Sequence, residues 1–172
     1  MEERITVKNI SDEANVVSLE KSHELYRNLI AIALKSFYNN RYFPFNKQSE
    51  DKTMTYKDIK CNEEVNELLK KGNQNLGLLG YTDHSQAHCA RVAETAAHIL
   101  KKFGYPEHDI VLARIAGYMH DIGNAINRSR HAEYGGLLAN EILKQYDLSI
   151  PDRITIVSAI SNHDESTGGA VD

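Results

Sequence analysis

Residues 110–124 read IVLARIAGYMHDIGN. Ile110, Ala113 and Gly117 fall at helical spacing, and the same face arrives at His120. The apolar run then stops at a histidine, an aspartate and a glycine. Either the pair caps the helix or it holds something. A carboxylate at a helix C-terminus faces the negative end of the macrodipole, which is mildly unfavourable unless a cation sits beside it. Capping alone therefore does not explain Asp121.

The segments on either side of this helix, which is expected over Glu107–Ile122 and closed by Gly123, also read as helical. A helix from about His84 to Phe103 has Thr82 or Asp83 as its cap, and KKFGYP supplies cations, a glycine and a proline as its stop. His131–Tyr146 forms the next helix, and Pro151 or Asp152 opens a last one to about Asn162. Upstream, Leu25, Leu29, Ile32, Ala33 and Phe37 place an amphipathic helix over residues 17–38, followed by a polar connection through residue 55. Val65, Leu68 and Leu69 suggest a short helix from Glu63, ended by Gly72, Gly77 and Gly80. No strand pattern or internal repeat competes, so the fold class is all-α.

With 172 residues, 41% apolar and 26% charged, the chain suits one soluble domain with a conventional core. The net charge of −4 and the lack of a dense Lys/Arg block argue against duplex nucleic acid as a partner. The polar, acidic start MEERITVKNISDE and the absence of a long apolar run predict a cytoplasmic protein without a membrane partner. Cys61 and Cys89 show no CxxC spacing and read as free thiols.

The eight histidines carry more information. His88, Val92, Ala96, Ile99 and Phe103 trace the expected inward face of the 84–103 helix. His120 ends its own apolar face, and His131 precedes Gly135, Leu138 and Ile142, with Gly135-Gly136 allowing close helix approach. His163 follows Ile156 and Ile160 at the same kind of spacing. One inward histidine is ordinarily a core residue bonded to a carbonyl. Four, each near a helix end, call for a shared partner, because each buried imidazole left unpaired costs about 1–3 kcal/mol. With Asp121 they make a nitrogen and oxygen donor set suited to Fe, Mn, Zn, Ni or Co rather than Cu(I) or Ca. His23, His98 and His108 lie in polar surroundings and read as solvated. His84 lies four residues before His88, but Ser85 stands where HExxH zinc proteases carry glutamate, so that family is set aside. His84 is left with a structural role or a place near the substrate.

In their order along the chain, HCARVAETA (88–96), MHDIGN (119–124), HAEYGGLLANEIL (131–143) and AISNHDE (159–165) resemble the HD-domain metal-dependent phosphohydrolase superfamily. The resemblance covers about residues 80–165. It implies an HD-domain core, expected over 76–172; residues 1–75 match no part of the family pattern and read as an N-terminal helical cover and connection within the same compact unit. It also implies His88, His120 and Asp121 as metal ligands, with His131 and His163 completing a second position as in di-iron members. One or two divalent ions are expected, Fe or Mn first and Zn, Ni or Co as alternatives. Family members usually add an aspartate from a later helix. Neither Asp164 nor Asp172 sits at that place in the pattern, and a partner chain in a homo-oligomer is one source for the ligand. Asn124 replaces a lysine often found after HDIG.

The implied activity is hydrolysis of a nucleotide-like phosphate ester or anhydride by a metal-activated hydroxide, with Asp121 as the bridge between two ions. Asn124, Arg128 and Arg130 are candidate substrate contacts, the two arginines because guanidinium groups match phosphate oxygens, though solvated loop arginines explain them equally. His84 is the candidate proton donor to a leaving group. The competing reading is an HD fold that senses a nucleotide or contacts a partner protein without turnover.

Overall fold

The structure is a computed structural model describing residues 54–81 and 83–164; the expected 17–38 helix, His23 and the expected cap Thr82 lie outside those residues. Among the described residues every regular element is helical. Thr55 starts α1 (Tyr56–Lys60) with a reciprocal cap, its hydroxyl accepting from the Asp58 N–H and the Asp58 carboxylate accepting from the Thr55 N–H at 2.8 Å. Asn62 caps α2 (Glu63–Leu78) by accepting from the Val65 N–H at 2.9 Å.

Helix α2 is longer than the sequence suggests, because Gly72 and Gly77 lie inside it. Gly72 is buried with Val65, Leu69 and Leu76, and a Cβ there would come within 3.0 Å of the Asn124 Cβ. It serves close packing rather than helix termination. The helix ends at Leu78, and Gly80 just beyond its Leu79 cap has a φ of 79°, the left-handed value a glycine accommodates after a helix C-terminus. The expected boundary between residues 75 and 76 thus falls inside a continuous helix.

Helix α3 (Gln86–Lys102) begins after Ser85, and the Asp83 carboxylate accepts from both the backbone and the hydroxyl of that serine. Its buried stripe is Cys89, Val92, Ala93, Ala96, Ala97 and Leu100. Phe103, expected on the inner face, is 48% exposed because that face is rotated toward Leu100. Helix α4 (Glu107–Met119) is the central element, buried nearly all round from Asp109 to Met119. It lies so close to α3 that a Cβ on Gly117 would meet the Ala93 Cα at 3.0 Å.

Beyond Met119 the chain tightens into a 3₁₀ turn, Ile122–Ala125, rather than extending α4 to Ile122. At Gly123 any Cβ would run into the carbonyl of His131, which fixes that position as glycine. Helix α5 (His131–Leu143) stops three residues short of the expected Tyr146. Helix α6 (Ile150–Ser161) is capped by the Ser149 hydroxyl accepting from the Asp152 N–H. As the Gly135-Gly136 pair suggests, the two helices approach closely, with a Cβ on Gly136 colliding with Ser161 Oγ. His98 is exposed, but His108 is not simply solvated: its Nε2 meets the Asp152 carboxylate at 2.8 Å and ties the start of α4 to that of α6. No described helix is long and apolar enough to cross a membrane.

Candidate metal centre

The packing brings the ends of four helices together around Asp121. His88 comes from the first turn of α3, His120 and Asp121 from the end of α4, His131 from the start of α5, and His163 from just beyond α6. His120, Asp121, His131 and His163 are buried, whereas the His88 side chain is 18% exposed. Their donor atoms fall into two groups that share the aspartate: His88, His120 and Asp121, and Asp121, His131 and His163, with the ligand atoms within 4.8 Å of one another in each group.

Three of the imidazoles are oriented in the same way. Nδ1 of His120 lies 2.9 Å from the Gly117 carbonyl, that of His131 2.9 Å from the Arg128 carbonyl, and that of His163 2.7 Å from the Ile160 carbonyl. A carbonyl only accepts, so each Nδ1 carries the proton and each neutral ring presents an Nε2 lone pair. Nε2 of His131 and of His163 then face one another at 3.0 Å. Two lone pairs at that distance repel unless a proton or a cation lies between them.

Asp121 makes the same demand. Oδ1 accepts from the Asn124 side chain at 2.8 Å, but buried Oδ2 has no hydrogen-bond donor. His120 Nε2 comes to 3.0 Å from that oxygen and His88 Nε2 to 3.7 Å, without the alignment that would make a hydrogen bond. A buried carboxylate oxygen without a donor is costly. Imidazole nitrogens and a carboxylate oxygen without sulfur form a donor set that fits a divalent transition metal, which would satisfy both the orphan oxygen and the facing lone pairs.

The proton affinities follow from burial and charge. Burial, reinforced by neighbouring His120, lowers the pKa of His88 to about 4 and that of His163 to about 3. Burial also lowers that of His131. At His120, burial pulls the pKa down but is outweighed by the Asp121 charge and the Gly117 carbonyl, leaving it raised. Burial raises the pKa of Asp121 while the surrounding imidazoles, His120 foremost, lower it further, and its carboxyl stays well below the usual range. Neutral His88, His131 and His163 beside an ionised Asp121 are in the protonation states that coordinate metal, whereas the raised His120 holds its second proton more tightly and would release it to a bound ion.

Residues 86–170 match the HD domain family. The chain carries an HD domain. The match spans α3 to α6 and includes all five clustered residues, while His84 lies just before it. The chain is also similar to an uncharacterized protein of Methanocaldococcus jannaschii, 30% identical over an alignment 138 positions long that covers 67% of this chain and 53% of that protein. It therefore spans about half the length of that curated relative. No solved structure matches.

Around the HD-domain cluster the other expected site residues take different places. Asn124, expected to touch substrate, is 2% exposed and donates to both the side chain and the carbonyl of Asp121. It orients the carboxylate. Arg128 reaches the cluster, one terminal nitrogen lying 3.3 Å from His131 Nε2 and 3.5 Å from Asn124 Oδ1. Arg130 does not share that position; its guanidinium pairs with Glu133 at 3.4 Å and lies over the Tyr134 ring. The half-buried His84 ring lies with its centroid 5.3 Å from that of His88, although the helix starts only after it. Asp164 Oδ2 lies 3.6 Å from His131 Nδ1, behind the ring rather than on its ligand side.

The sequence reading missed the contribution of α2. The Asn75 side chain donates to the carbonyls of Asn124 and Ala125 at 3.2 and 3.1 Å, holding the turn that carries the cluster's carboxylate. The signal was present in the polar residues interleaved with the buried stripe of GNQNLG, but the glycines suggested a chain break instead.

Proposed function

We propose that this protein is a metal-dependent phosphohydrolase or phosphodiesterase acting on a nucleotide-like phosphate ester or anhydride. The observation that carries the reading is the buried Asp121 Oδ2 without a hydrogen-bond donor, with His120 Nε2 at 3.0 Å and His88 Nε2 at 3.7 Å from it, while His131 Nε2, facing that of His163, lies 3.8 Å from the other oxygen. His88, His120 and Asp121 would hold one divalent ion and Asp121, His131 and His163 a second, with Fe or Mn preferred. Such an ion, when bound, supplies Lewis acidity and lowers the pKa of coordinated water from about 15.7 toward 7.

The chain's own residues do the rest. Asn124 holds the Asp121 carboxylate through Oδ1 and leaves Oδ2 to face His88 and His120. The carbonyls of Gly117, Arg128 and Ile160 keep the protons of three rings on Nδ1. Arg128 supplies a planar cation at the edge of the site for phosphate oxygens. His84, half-buried beside His88, would be the group that passes a proton to a leaving oxygen. The test has two parts: a metal count on protein never exposed to a nickel column, then phosphate release from a nucleotide panel with Mn or Fe. Near-stoichiometric metal, with turnover abolished in His120→Ala, is expected. Metal-free protein that no added ion activates would end the reading.

A further inference from the structure

Tyr81 lies outside every motif considered above. Its ring is half exposed, and the Arg128 guanidinium carbon lies 5.2 Å from its centroid, within the range of a cation–π contact. The backbone of Tyr81 is held at the end of α2, where its N–H donates to the Leu76 carbonyl at 3.0 Å and the Gly80 N–H to the Gly77 carbonyl at 3.2 Å. These paired bonds, with Gly80 in the left-handed region, lock the chain reversal that delivers the ring. The same helix grips the turn leading to Arg128 through Asn75. Both partners are therefore positioned from α2.

Within the cluster the Arg128 side chain has only long contacts, one nitrogen at 3.3 Å from His131 Nε2 and 3.5 Å from Asn124 Oδ1. A guanidinium and a metal ion cannot both use the His131 lone pair. An ion on that lone pair would exclude Arg128 from it, whereas the contact with the Tyr81 ring does not use the lone pair.

We propose that Tyr81 is a positioning residue that holds Arg128 at the mouth of the cluster as an arm for a phosphate group. That the anion is a phosphate rests on the functional reading above; the Tyr81–Arg128 contact does not.

The test uses the full chain with Tyr81→Ala, Tyr81→Phe, Arg128→Ala and the double alanine variant. In metal-free protein, the Arg128 Nε–H signal, assigned in nitrogen–proton correlation spectra by its loss in Arg128→Ala, should move in Tyr81→Ala and stay in place in Tyr81→Phe. Inorganic phosphate is then titrated into zinc-loaded protein. Tyr81→Ala should weaken binding about two- to fivefold, the size of an exposed cation–π contact. Tyr81→Phe should stay within about twofold, and Tyr81→Ala should add nothing in the Arg128→Ala background. An unmoved Arg128 signal, losses that add in the double variant, or no phosphate binding by the wild type would each overturn the proposal. Protein that shows the full pattern but hydrolyses no nucleotide would sink the functional reading and leave Tyr81 in its role. Turnover, with an Arg128 signal unmoved in Tyr81→Ala, would do the reverse.

Discussion

Replacing Asp121 with asparagine should uncouple the protein's stability from metal. Asp121 is the residue common to both groups of ligand atoms, and its Oδ2 has no hydrogen-bond donor of its own. An ion that binds only the folded state stabilises it by about 2.7 kcal/mol when its free concentration is 100 times Kd. For a chain of this length each kcal/mol moves the melting temperature by about 2–4 °C. Mn at that concentration should therefore raise the wild-type Tm by about 5–11 °C, and a chelator should reverse the change. In Asp121→Asn the carboxylate charge disappears from both groups at once, so the shift should fall below about 2 °C. Differential scanning fluorimetry with and without metal measures both, and circular dichroism at 222 nm confirms that the variant is folded. An equal metal-induced shift in folded Asp121→Asn would refute the assignment of this carboxylate as the shared ligand.

His163→Ala removes one of the proposed ligands from one group and leaves His88, His120 and Asp121 intact, so elemental analysis should find bound metal reduced but not abolished relative to wild type. Gly136→Ala meets a serine side chain that can rotate, and should cost about 1–3 kcal/mol in urea unfolding. Gly123→Ala meets the His131 backbone, so it should be the more destabilising of the two; equal losses would contradict the packing described. The His108–Asp152 pair should show a pH window. The Asp152 hydrogen bond outweighs burial and raises the pKa of His108, so this contribution is full below about 6.5 and lost as pH rises through the raised value. Burial at Asp152 is outweighed only by the His108 and Ser149 hydrogen bonds and the His108 charge together, and its pKa is lowered, so its share is full above 3.8 and lost as pH falls through the lowered value. His108→Gln should then lower Tm most between about pH 4 and 6.5, by the equivalent of about 0.2–1 kcal/mol given the pair's partial exposure. A Tm difference independent of pH would argue that the pair adds nothing electrostatic.

The all-helical architecture and the convergence of His88, His120, Asp121, His131 and His163 were legible because helical periodicity fixes which side chains share a face, and each histidine extends an apolar face. Periodicity could not tell which glycines end a helix and which allow another element to approach. Gly72 reads like punctuation but is a contact surface for the 3₁₀ turn, so α2 looked short and its hold on Asn124 was missed. The polar partners were harder still. Whether Asn124 faces a ligand or a neighbouring carboxylate, and whether His108 meets water or Asp152, depends on residues brought together only by the fold. Phe103 shows the angular limit of the method, since a modest rotation of α3 moves the inner face from Phe103 to Leu100.

The three Nδ1 contacts have one further consequence. His120, His131 and His163 are each aimed by the carbonyl three residues before them in their own chain. Ring direction is therefore written into short peptide segments, while helix packing only has to bring those segments together. Lengthening the 144–149 link between α5 and α6 could shift where an imidazole stands without changing which of its nitrogens points inward. A centre assembled in this way tolerates sequence drift in its connections much better than in the tripeptides that precede its histidines.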